Sequence, residues 1–188
     1  IKIKISKKSS NNQILIKSPY LMSFFINEKG KKIKPKLIDG YFNTGDVGSY
    51  KKKELFIFGR RKDIVKKGAE IVSIPNIENV FLNSKLVEEV SGISDYDETR
   101  GSKIYLFVVS KTELNNQIEN LIISSFGSFA VPKKIFYVEQ IPKTRSGKIL
   151  RRLLRSILIN PNLKQYGDLS TILNLSSVKN IQDIIKHN

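Results

Sequence analysis

The sequence predicts an α+β fold, a small sheet with packed helices over residues 64–158, preceded by a β and loop segment that reads as the edge of something larger. Three observations carry this. Between residues 64 and 158, short apolar or β-branched runs alternate with helical spacings, in the order strand, helix, strand, strand, helix, strand, helix. Residues 1–58 hold strand and turn signals but no helical repeat of apolar residues. The chain has 188 residues and is 40% hydrophobic, enough for one or two small globular domains.

Taken in order, "QILIKS" at 13–18 reads as a strand, followed by "SPYLMSFF" and a polar turn, "NEKGKK". "LIDGYFNTGDVGSY" contains three glycines and predicts a loop region. Residues 55–58 form a short apolar strand ended by Gly59, and residues 64–73 alternate irregularly around Gly68. Pro75 fits the first turn of a helix with Ile77, Val80, Phe81 and Leu82 at helical spacing. "VEEVSGIS" reads as a strand, and "KIYLFVVS" at 103–110 as a buried one. Thr112 opens a helix running to about Phe126, "KKIFYVEQI" at 133–141 is a strand, and a helix spans 146–158. "NPN" at 160–162 breaks that helix, and the tail carries a last helix at 177–187.

The net charge is +16 and the isoelectric point about 9.9. The excess is mostly lysine scattered along a chain also rich in Ile and Asn, a composition bias that leaves lysines on solvated faces. No RNP-like aromatic motif, zinc-finger spacing or recognition helix accompanies it, which argues against nucleic acid, although polyanionic small ligands stay compatible. The absence of Cys excludes disulfides and thiolate metal sites. The single His187 lies in the tail, so neither a His-based triad nor a metal site is expected. No run of about 18 apolar residues is present, so no membrane span is expected. The start, "IKIKISKKSS", lacks a signal-peptide core and an initiator Met; a cytoplasmic piece of a longer chain is expected.

Three positions invite chemistry. Asp46 follows a Gly in "NTGDVG", where an ionised carboxylate could accept both hydroxyls of a ribose; the plainer reading is an Asx turn capping its own backbone. Arg60 follows the strand-ending Gly59, where a guanidinium could meet a phosphate or ribose oxygen; for Arg61, Lys66 and Lys67 a solvated basic patch is the better reading. Lys148 sits in "PKTRSGKILRR", after a Gly that frees the backbone and before a leucine-rich helix (Leu150, Leu153, Leu154, Ile157) that anchors the loop in the core. An ammonium on a flexible stem suits charge that develops on an oxyanion or phosphate; taken alone, a Gly-Lys pair is more often an ordinary surface lysine. The spacing is not that of a phosphate-cradling G-x-x-x-x-G-K-[ST] loop. Arg151, Arg152 and Arg155 read as solvated or interface charges, and Glu88-Glu89 and Asp95-Asp97-Glu98 as solvated turns rather than an acid/base pair.

Several blocks, in this order, resemble the C-terminal part of acyl-adenylate-forming enzymes, most closely the acetyl-CoA-synthetase-like acyl-CoA synthetases. They are "ILIKSPYLMSFF", "GYFNTGD", "GRRKDIVKKGAEIVSIPNIE", "PKTRSGKILRR" and "YGDLSTILNLSSV". The resemblance covers nearly the whole chain, and the Lys148 block is its most specific part. It implies that residues 1–61 end a large β-rich adenylation domain, residues 62–158 form a small mobile lid domain, and residues 159–188 are a tail. It implies that Asp46 and Arg60 bind the nucleotide and that Lys62 is the hinge. Lys148 would serve the first half-reaction, in which a small carboxylate and ATP (with Mg) give acyl-adenylate. Gly68 and Ala69 would line the coenzyme A channel. Acylation of Lys148 would cancel the charge this step uses. The partners implied are the carboxylate, ATP, coenzyme A and an N-terminal adenylation domain of the same polypeptide, so the chain is expected to be inactive by itself.

The family often has Gly at Ala69, Arg or Asn at Ile71, and a basic residue near Ile123. These departures motivate an alternative in which the acyl group passes to a carrier-protein thiol. The charge and the missing acyl pocket motivate another, a non-catalytic module that binds a nucleotide or a partner protein.

Overall fold

The computed structural model describes residues 1–6, 12–27, 29–67, 70–95, 103–163, 166 and 169–187. They form two compact units, Ile1–Ile64 and Val65–Asn188.

The first unit is built from strands: β1 (Lys2–Ser6), β2 (Gln13–Lys17), β3 (Phe25–Ile26), β4 (Lys32–Ile33), β5 (Leu37–Ile38), β6 (Tyr41–Lys51) and β7 (Glu54–Arg60). The sheet runs β1-β2-β6-β5, with β7 also paired to β6, and every pairing is antiparallel. The loop expected across residues 37–50 is instead dominated by β6, the longest strand, whose start pairs with β5 and whose end pairs with β7. Its glycines permit this rather than preventing it. A Cβ on Gly48 would lie 2.3 Å from the Phe56 carbonyl oxygen, so only glycine lets the strands close at the irregularity between Val47 and Gly48. A three-residue 3-10 turn, Arg61–Asp63, ends this unit's run of strands.

The second unit has β8 (Ile64–Lys67) and β9 (Glu70–Ser73) as a two-stranded ribbon, then α1 (Ile74–Ser84), β10 (Glu89–Asp95), β11 (Lys103–Val109), α2 (Asn115–Phe126), β12 (Lys134–Tyr137), α3 (Arg151–Ile159) and α4 (Ser176–Lys186). The predicted element order holds, except that the single strand expected before α1 is two, β8 and β9. Ser73 caps α1 by accepting the Asn76 N–H at 3.3 Å, and Pro75 occupies the first turn, where no backbone donor is needed. Ile77 and Phe81 of α1 are buried, whereas Leu82 is exposed.

The three-stranded sheet runs β10-β11-β12, antiparallel then parallel. Helices cover both of its faces. Ile104, Leu106 and Val108 of β11 pack with Ile77 and Phe81 of α1 and Ile118 and Ile122 of α2. Phe107, on the other face, packs with Leu153, Leu154 and Ile157 of α3 and Val178 and Ile181 of α4. A central strand buried on both sides reads as an unbroken apolar run, which is why "KIYLFVV" does not alternate. The C-terminal helix thus completes the core of this unit.

Two boundaries differ from expectation. α2 starts at Asn115 rather than Thr112, with the Leu114 N–H bonded to the Tyr137 hydroxyl at 2.7 Å. α3 starts at Arg151 rather than Ser146, because residues 143–149 close a hairpin-like loop of their own. Among the described residues no helix is long and apolar enough to cross a membrane.

Candidate active site

Asp46 and Arg60, fourteen positions apart in sequence, are cross-strand partners on β6 and β7. The Arg60 Nε lies 3.1 Å from Asp46 Oδ1, and Nη1 donates to the Thr44 carbonyl at 2.7 Å. The local turn chemistry expected of Asp46 belongs to its neighbours. Asn43 Oδ1 accepts the Gly45 N–H at 2.9 Å, and Thr44 Oγ1 accepts the Asp46 N–H at 3.0 Å. The Thr44 hydroxyl also donates to the Ile14 carbonyl on β2 at 3.0 Å. The carboxylate is thereby spared backbone duty and stands beside a guanidinium. Such a pair offers acceptors and donors together, which suits vicinal hydroxyls. Thr44 was not singled out from the sequence, though a Thr two residues before an Asp is the signature of this turn.

Lys148 sits in the other unit. Its loop is held by the Thr144 N–H to Lys148 carbonyl bond at 2.9 Å and by the Lys148 N–H to Thr144 Oγ1 bond at 3.1 Å. Lys143 and Ile149 form an antiparallel bridge at its base, and Gly147 takes φ +79°, a left-handed conformation that a residue with a Cβ adopts at a cost. Lys148 is exposed, and its ammonium has no hydrogen-bond or ion-pair partner among the described residues. The backbone is fastened while the charge is left available.

Charged side chains hold both ends of this loop. Lys143 Nζ lies 2.6 Å from Glu89 Oε1, so Glu89 is a partner on β10 and not a solvated turn residue. Arg151, the first residue of α3, pairs through Nη2 and Nε with Glu78 of α1, which is only 6% exposed. The Gly92 N–H donates to the same carboxylate at 2.8 Å, so the buried charge is both paired and hydrogen-bonded. Arg155 Nε donates to the Ser94 carbonyl at 3.3 Å. Of the two readings the sequence left open, solvated or interface, Arg151 and Arg155 are therefore interface charges. Helical spacing could not show this, since it gives the face of a residue but not its partner.

Lys62 is exposed within the 3-10 turn Arg61–Asp63, two residues before the division between the units. Gly68 and Ala69 lie outside the described residues. Among the described residues no group of three or more His, Cys, Asp or Glu is placed to hold a metal ion.

A further concavity of about 470 Å³ is lined by Glu113, Asn115, Glu119, Lys133 and Tyr137 among others. The Tyr137 hydroxyl accepts from the Leu114 N–H and donates to Asn115 Oδ1 at 3.0 Å. Burial raises its pKa, against the lowering effect of the Leu114 N–H and with a smaller push from the Glu113 charge. Its hydroxyl serves as a polar cap at the start of α2.

Residues 76–148 match the family described as the AMP-binding enzyme C-terminal domain. Acetyl-coenzyme A synthetase 1 of Kluyveromyces lactis is 37% identical over 161 residues, covering 78% of this chain and 23% of that protein. The 2-succinylbenzoate–CoA ligase of Listeria monocytogenes is 33% identical over 152 residues, covering 79% of this chain and 32% of that protein. The chain thus spans less than a third of the length of these curated relatives. Among solved structures, an amide bond synthetase from Marinactinospora thermotolerans matches with a TM-score of 0.61 at 22% identity, over 82% of this chain and 34% of that one. O-succinylbenzoate coenzyme A synthetase from Bacillus subtilis, solved with ATP and magnesium, matches with a TM-score of 0.60 at 22% identity, over 80% and 33%. At that identity these two likenesses speak to fold alone.

Proposed function

We propose that the chain, whose residues 76–148 match the AMP-binding enzyme C-terminal domain, is the C-terminal part of an ATP-dependent acyl-CoA synthetase acting in the cytoplasm. The observation that carries this reading is the exposed, unpartnered ammonium of Lys148 on a loop whose backbone is held at both ends. In the first half-reaction a carboxylate oxygen attacks the α-phosphorus of ATP, the bond to the β-phosphate oxygen breaks, and pyrophosphate leaves. Lys148 donates to carboxylate and phosphate oxygens while charge moves between them. Asp46 accepts the ribose hydroxyls, and Arg60 holds that carboxylate in place while contacting the same nucleotide. In the second half-reaction the thiolate of coenzyme A attacks the acyl carbonyl and AMP leaves.

The two half-reactions need different groups near the adenylate. We propose that the lid, residues 62–158 with the tail behind it, turns about Lys62 between them, withdrawing Lys148 and bringing the segment at Gly68 and Ala69 to line the coenzyme A channel. The short 3-10 turn just before the division of the units supports a pivot there.

In the full-length polypeptide, Lys148→Ala is expected to slow adenylation by roughly 10²–10³-fold, the usual cost of removing one transition-state donor, with thioester formation from supplied acyl-adenylate within about twofold. Pyrophosphate exchange and single-turnover thioester assays read the two steps separately; equal losses in both contradict the reading. The 188 residues alone are expected to release no pyrophosphate above background.

Ile71 and Ile123 favour a second reading, in which a carrier-protein thiol is the acceptor. Both are exposed, at 43% and 46%, and apolar exposed positions suit a protein surface better than the phosphates of coenzyme A. Comparing the two acceptors with the full-length enzyme separates these readings.

A further inference from the structure

We infer that Asn174 is a positioning residue for Lys148: its carboxamide, with the stretch 171–173, bolts the base of the lysine loop to the start of α4. The inference rests on the role proposed above for Lys148.

The loop begins just after β12, where the sheet can no longer supply partners, and with Pro142, which has no N–H. The Pro142 carbonyl accepts the Leu150 N–H, and the groups on either side of Pro142 are satisfied from a segment about thirty residues away in sequence. The Lys143 N–H donates to Asn174 Oδ1 at 3.2 Å. The Asn174 Nδ2 donates to the Ile141 carbonyl at 3.1 Å and to Gln140 Oε1 at 3.0 Å. The single amide thus uses its acceptor and both donors to stand in for a missing strand. The neighbouring backbone extends the same seam. The Leu173 N–H donates to the Lys143 carbonyl at 2.9 Å, Thr144 bridges Ile172, and the Arg145 N–H donates to the Thr171 carbonyl at 3.2 Å.

The bolt is anchored on its other side. The Asn174 carbonyl accepts the Ser177 N–H at 3.1 Å and the Ser177 hydroxyl at 2.7 Å, opening α4. Val178 and Ile181 of α4 are buried with Leu154 and Ile157 of α3. Position therefore passes from the packed core, through Asn174, to the Lys143 N–H and the Ile141 carbonyl, five and seven residues ahead of Lys148. An exposed amine with no partner among the described residues depends on its backbone for where its stem begins, and a misplacement of about 1 Å can cost about a hundredfold in rate.

The test uses the full-length polypeptide with Asn174→Ala, Lys148→Ala and the double variant. Asn174→Ala is expected to speed amide exchange in peptides covering 143–148 and to lower the adenylation kcat about tenfold, with the KM for ATP and thioester formation from supplied acyl-adenylate within about twofold. In the Lys148→Ala background it should cost nothing further, since a residue acting only through the lysine has nothing left to position. Should Asn174→Ala fail to fold, Gln140→Ala removes one bond of the three and should give a smaller loss with the same split. Unchanged adenylation despite faster exchange, equal loss in both half-reactions, or an additive loss in the Lys148→Ala background overturns the inference. If Lys148→Ala itself leaves adenylation intact, the functional reading has failed and the inference falls with it. If Lys148→Ala is inactive in adenylation while Asn174→Ala matches the parent, only the positioning role is lost.

Discussion

The strand pair β6–β7 and the loop 143–149 present their charges in different ways. On the strands, Asp46 meets Arg60 as its cross-strand partner, and the opposite charges are already paired. On the loop, the backbone is fixed by bonds from a remote segment while the Lys148 ammonium stays unneutralised. The difference matches the proposed tasks. A group that holds a nucleotide throughout the cycle tolerates pairing, because an exposed ion pair contributes only about 0–1 kcal/mol and yields readily to a ligand. A group that answers charge developing in a transition state is most useful with its own charge uncompensated.

Three substitutions probe this contrast. The largest effect is expected at the loop's far end. Glu78→Ala would strip Arg151 of its partner and leave the buried Gly92 N–H without an acceptor, lowering stability by about 3–5 kcal/mol. Urea unfolding followed by a probe in Val65–Asn188 measures it; a near-neutral result would mean that the apolar face of α3 holds the loop unaided. Next comes Asp46→Asn in the full-length polypeptide. Losing charge-assisted bonds to the ribose should weaken nucleotide binding by roughly 1.5–3 kcal/mol, about ten- to a hundredfold by calorimetry. Retained affinity would reduce the strand pair to a structural feature. The smallest effect is Arg60→Ala on folding. With Arg60 65% exposed in this pair, the urea midpoint should correspond to a change below about 1 kcal/mol. A larger loss would show that the pair is built for stability, erasing the contrast with Lys148.

Much of the second unit was readable from local pattern. Ser73 and Pro75 mark the start of α1, the unbroken run at β11 marks a strand buried on both faces, and the leucines from Leu153 onward mark α3. β6 was not readable, because Gly40, Gly45 and Gly48 carry the local signature of a loop, and only pairing with β2, β5 and β7 makes the segment a strand. The same limit applies to the site. Asp46, Arg60 and Lys148 stand out by residue type and by the turns around them, whereas Glu78, Glu89 and Asn174 carry no local mark of the partners they hold.

The succession of helices and strands from α1 to α3, their apolar faces and the residue types able to bind a nucleotide or supply a cation were determined by the sequence itself, since periodicity, capping and turn chemistry act over a few residues. The partner of each buried or anchoring polar group was decided by the tertiary structure. Arg151 meets Glu78 across 73 positions and Lys143 meets Asn174 across 31, because hydrogen bonds and ion pairs form between neighbours in space, and the packing of β10, α1, α3 and α4 chooses those neighbours.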